Sequence, residues 1–90
     1  MALEKLGLKL AGSLDFSAIA DGTASESTVK NMLAAAMKAK FPNAANGLIN
    51  RWVDTIYSQL KEGNFKIFES VFGKGIISDK TKTDAVKANL

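Results

Sequence analysis

The sequence predicts an all-α fold, a small four- to five-helix domain built on a helical hairpin. Three observations carry this. Leu48, Ile49, Trp52, Val53, Ile56, Tyr57 and Leu60 follow the increments 1, 3, 1, 3, 1, 3 that one face of a helix requires. Gly63-Asn64 and Gly73 stand where helices end and begin. Residues 26–40, ESTVKNMLAAAMKAK, are dominated by good helix formers. At 90 residues, with 47% apolar and 23% charged side chains, the chain reads as one globular domain rather than a disordered segment. We divide it into an N-terminal helical arm and turn (1–25), a helical core (26–77) and a polar C-terminal tail (78–90).

Leu3, Leu6, Leu10 and Leu14 lie three and four apart, which makes residues 2–14 a helix with one apolar stripe. Gly7 weakens it by about 1 kcal/mol relative to Ala, so packing must hold it. Core packing or docking on another subunit is the expected use, with Leu3, Leu6, Leu10 and Leu14 as the contact residues. The lysines flanking the stripe, Lys5 and Lys9, offer membrane-surface contact as a less favoured reading. Residues 15–25 carry the turn signal Asp21-Gly22, with Phe16 and Ile19 anchoring a short turn. Thr23 to Glu26 has the form of a capping box, with Ser25 or Ser27 as alternative caps.

Helix 26–40 presents Val29, Met32, Leu33, Ala36 and Met37 on one face, and Ala34–Ala36 permit a close crossing. Phe41-Pro42 ends it, because the residue before proline is pushed out of helical geometry. The central helix over 43–61 has Asn43 or Asn46 as its cap, and Arg51 is placed to pair with Asp54. Gly63 closes it in the left-handed conformation, and Asn64 caps helix 65–72. Phe65, Phe68 and Phe72 mark the inner face of that helix. Ile76 and Ile77 are expected to tuck under the pair. Residues 79–90, with Ala85, Val86 and Leu90 as their few apolar anchors, are expected to be a frayed helix or a tail.

Composition narrows the chemistry. Cysteine and histidine are both absent, so thiol chemistry, iron–sulfur ligation and the usual general base are unavailable to this chain. No serine has a histidine to activate it, and no lysine falls on an apolar face to form a Ser–Lys dyad. Gly73-Lys74-Gly75 lacks the spacing and the Ser/Thr of a phosphate loop and reads as a helix end followed by a loop. Asp15, Asp21 and Glu26 are the acids nearest one another near the N-terminus, but their spacing fails that of a calcium loop. We expect no enzyme activity, no metal and no cofactor.

Charge is uneven along the chain. In residues 1–29 two lysines face four acids, whereas in residues 30–90 ten Lys or Arg face five acids. Lys61, Lys66, Lys74, Lys80 and Lys82 form the best candidate rim for nucleic acid, around the turn between the paired helices. Arg51 is the only arginine, so bidentate base and phosphate contacts are scarce. Trp52, Tyr57 and the phenylalanines fall on faces expected to be core, which argues against base stacking. No apolar run approaches the ~20 residues that span a bilayer, and no signal peptide is evident. An intracellular setting is expected, or a virion if the chain is phage-encoded.

The pattern Glu62-Gly63-Asn64, Phe65, Ile67, Phe68 and Gly73-Lys74 within Leu48–Lys74 resembles a segment of small helical phage proteins of the DNA-packaging, small-terminase-like kind. The resemblance covers roughly a third of the chain. It implies a helical hairpin and a structural or assembly role. In such segments a polar and basic pair often precedes the Gly-Lys and a proline follows, whereas here Val71, Phe72 and Gly75 stand at those places. The function expected first is a non-enzymatic structural or assembly protein, self-associating or docking in a virion or packaging complex. A nucleic-acid-binding module using the lysine rim and a small inhibitor or regulator of a host protein are the alternatives.

Overall fold

A computed structural model describes residues 9–89. The fold is all-α, and no strand occurs among the described residues. Residues 9–13 are helical. Five further helices follow: α1 (Phe16–Asp21), α2 (Glu26–Lys40), α3 (Asn46–Lys61), α4 (Lys66–Phe72) and α5 (Asp79–Asn89). Helix α3 is the hub, packing against α1, α2 and α4, while α5 lies on α1.

Local chemistry sets the boundaries. The Asp15 side chain accepts from the Ala18 amide at 3.1 Å and starts α1 within the segment expected to be a turn. Gly22, at φ 82°, ends it. Ser25, not Thr23, caps α2, accepting from the Thr28 amide. Thr23 is already engaged, because its amide and hydroxyl both donate to Asp21 Oδ1, at 2.9 and 2.6 Å. Those two bonds hold the Asp21 carboxyl below its ordinary pKa. Helix α3 begins after Ala45 without any side-chain cap, so neither Asn43 nor Asn46 plays that part. At its other end the Asn64 amide reaches the Gln59 carbonyl at 2.9 Å and the Gly63 amide reaches Leu60 at 3.1 Å. With Gly63 at φ 77°, this is the double-bonded left-handed stop. The Asn64 side chain then accepts from the Lys66 amide and starts α4.

The core is wholly apolar among the described residues, with Ile19, Leu33, Met37, Ile49, Ile56, Leu60 and Phe68 sealed from solvent. Phe16 stands edge-on to both Phe65 and Phe68, with ring centroids 5.6 Å apart in each pair. It thereby joins α1 to the start of α4. Leu10 and Leu14 are buried in this same core, so neither is free to meet a partner. Leu3 and Leu6 lie outside the described residues. Met32, Ala35 and Ala36 of α2 share a shallow depression with Lys9, Leu10 and Ser13 of the N-terminal stretch.

The segment expected to be a frayed helix or a tail is the helix α5. Its few apolar residues suffice because they are placed closely. Ala85 is fully buried, and Val86 packs against the backbone at Gly63. Ser78 supports its first turn by accepting from the Thr81 amide at 3.2 Å.

Candidate functional site: an apolar groove beside Trp52

The stripe on α3 is wider than the core it faces. Ile49, Val53, Ile56, Tyr57 and Leu60 are buried, but Leu48 and Trp52 remain 40% and 38% exposed. Leu48 and Trp52 are four residues apart, so they stand one above the other on one flank of the helix. The expectation that Trp52 is a core residue is therefore corrected. Phe41, just past the end of α2, turns its ring edge toward Trp52 at 5.6 Å between centroids. Between these rings and α4 lies a groove of about 210 Å³, lined by Met37, Phe41, Trp52, Thr55, Ile56, Ile67 and Val71.

Thr55 supplies the only side-chain hydroxyl of that lining. Its hydrogen bond runs back to the Arg51 carbonyl at 3.1 Å, which leaves the Trp52 indole N–H as the other side-chain donor of the lining. The volume decides what fits. An apolar cavity of roughly 150 Å³ can hold a benzene ring, whereas whole cofactors and drug-sized ligands occupy roughly 300–1,000 Å³. The groove thus suits one aromatic or branched aliphatic side chain. Lys40 borders it, with Nζ 5.6 Å from the centre of the Phe41 ring and 5.9 Å from that of Phe72.

The lysine rim is only partly assembled. Lys66 and Lys74 flank a shallow depression with Glu69 and Ser70. Lys82 reaches the same carboxylate from α5, with Nζ 2.8 Å from Glu69 Oε1. The Gly75 amide donates to Glu69 Oε2 at 3.1 Å, which accounts for the Gly73-Lys74-Gly75 loop as a structural tie. The Lys82 ammonium, then the Gly75 amide, hold the Glu69 carboxyl below its ordinary pKa against the opposing pull of burial. Lys61 lies elsewhere, with its ammonium 5.9 Å from the Tyr57 ring, and Lys80 is exposed in the first turn of α5. A carboxylate at the centre of the cluster and one lysine already paired weaken this rim as a phosphate-binding surface.

Four further acids have local partners. Asp15 and Asp21 hold turns, as described above. Glu26 pairs with Lys30 at 2.8 Å, and Lys30 also meets Asp54 at 3.0 Å. Those two carboxylates raise the Lys30 pKa. The expected Arg51–Asp54 pair is thus replaced by a tie between α2 and α3, and Arg51, one turn before Thr55 on the same face of α3, has no carboxylate within 4.0 Å among the described residues. The sequence did hold a signal for the site. Seven apolar positions in a row of increments exceed the arc that a helix buries in so small a domain, and the edge of that arc is Leu48 and Trp52.

Compared with protein families, with curated proteins and with solved structures, the chain matches none. Among the described residues, no helix is long and apolar enough to cross a membrane.

Proposed function

We propose that this protein is a non-enzymatic structural or assembly protein that works by docking or self-association through the groove at Trp52. The supporting observation is the groove itself: a half-exposed tryptophan, a phenylalanine edge and a pocket the size of one anchoring side chain. Large aromatics in this state are the usual anchors of protein interfaces. The lining holds no general base and no charged group, and its one hydroxyl, that of Thr55, donates to a backbone carbonyl. A phage setting, in a virion or a packaging complex, is supported by the resemblance of Leu48–Lys74 alone.

Photo-crosslinking tests the reading directly. A benzophenone side chain replacing the exposed Leu48 should form discrete adducts in the cells that produce the protein, and Thr55→Arg should abolish them. Light scattering shows whether an adduct corresponds to a second copy. Absence of adducts, together with a monomer at every concentration, would sink the proposal.

A further inference from the structure

The groove on its own does not say what fills it, but the charges beside it do. We infer that its occupant is an amphipathic helix of a partner protein, with aliphatic or aromatic anchors flanked by carboxylates. This rests on the docking role proposed above and adds the chemistry of the partner.

Geometry supplies the helical part. Leu48 and Trp52 form a ridge along α3, and the groove opens beside it toward Ile67 and Val71 of α4. A helix laid along such a ridge offers side chains three and four residues apart, which is the spacing that meets a ridge and a neighbouring pocket. Electrostatics supplies the acidic part. Two basic residues adjoin the lining: Lys40, whose Nζ lies 5.6 Å from the centre of the lining Phe41 ring, and Arg51, one turn before Thr55 on the same face of α3. Among the described residues neither has a carboxylate within 4.0 Å. The nearby acids are committed elsewhere, Asp54 to Lys30 and Glu69 to Lys82. Glu62 is the exception on this flank of α3, and it stands seven residues beyond Thr55, about 10 Å along the helix. A basic border around an apolar pocket selects carboxylates around an apolar anchor and repels a basic helix.

Trp52 is the only tryptophan, so its emission reports the groove without a label. The full chain is titrated with a synthetic helix carrying leucines at i, i+3, i+4 and i+7 and glutamates beside them, and with the same helix carrying lysines instead. The acidic helix should move Trp52 emission to the blue, saturably, and bind at least about tenfold more tightly than the basic one at low salt. Lys40→Glu and Arg51→Glu should each narrow or reverse that preference. Arg51→Glu leaves the end of α2 untouched, and circular dichroism verifies the fold of both. Equal binding of the two helices overturns the acidic occupant while leaving groove docking in place. No response to either helix, with a concentration-dependent blue shift that Thr55→Arg removes, makes a second copy the occupant and overturns the inference but not the docking role. No response and no self-association overturns both.

Discussion

Gly63 faces Val86 across the junction of α3 and α5, where a Cβ on Gly63 would stand 3.2 Å from Val86 Cγ2. The same residue holds φ at 77°. Gly63→Ala therefore meets two penalties, a left-handed backbone and a crowded neighbour. We expect a loss of about 1–2 kcal/mol, read as a thermal midpoint lower by roughly 5–15 °C. Gly47→Ala is the matched control. Gly47 lies in the first turn of α3, and nothing stands within 4 Å of the added carbon. It should gain about 0.5 kcal/mol. A Gly63→Ala variant as stable as the parent would contradict the placement of α5.

Glu69 makes stability depend on acid. Its side chain is 15% exposed and carries both the Lys82 ion pair and the Gly75 hydrogen bond. Because the folded carboxyl titrates below its ordinary 4.5, the unfolded chain takes up the proton first as pH falls. The stabilisation is full above the ordinary value and disappears as pH drops through the lower, folded one. Glu69→Gln should cost about 1 kcal/mol at neutral pH and flatten the fall in stability below pH 4.5. Urea midpoints measured from neutral pH into this acid range check both effects.

Trp52 and Phe68 should respond very differently to truncation. Phe68 is 1% exposed and touches the rings of Phe16 and Phe72. Phe68→Ala should cost about 3–5 kcal/mol, enough to abolish a cooperative melt in a domain this small. Trp52→Ala should cost only about 1–2 kcal/mol, because much of the ring already meets water. Calorimetry on the two variants would show whether the large indole serves the fold or the surface. Equal losses would return Trp52 to the core.

Removing residues 79–90 tests α5. If this segment were an independent tail, its loss would leave the melt unchanged. Because α5 covers α1 and buries Ala85, we expect the truncated chain to lose cooperativity and bind a hydrophobic dye.

The contrast between α2 and α5 shows what the sequence could and could not convey. The all-α fold was legible, and α2 and α3 announce themselves by apolar periodicity over four turns. Helix α5 does not, because its main anchor is an alanine. Ala85 is buried by close approach rather than by area, and closeness is a property of the neighbour, here α1. The Thr23 cap was misplaced for a related reason. Asp21, two residues earlier, competes for the same hydroxyl, and local pattern alone does not rank the two bonds. In the groove, the width of the apolar arc on α3 marks Leu48 and Trp52 as its edge, but the Phe41, Ile67 and Val71 walls come from other segments, which no single helix encodes. The lysines, likewise, could be counted in sequence, but the carboxylate that gathers Lys66, Lys74 and Lys82 lies between them only in three dimensions.

The pairing of α1 with α5 also dictates a schedule. These helices belong to opposite ends of the described chain, so their contact closes almost the whole chain into one loop. During synthesis α1, α2 and α3 emerge with Phe16 lacking its cover. The final layer can form only after residue 89 has left the ribosome. Long-range closure of this kind slows folding relative to a bundle whose neighbours are consecutive. The nascent chain consequently carries an aromatic surface open to chaperones until α4 and α5 have emerged and closed over α1.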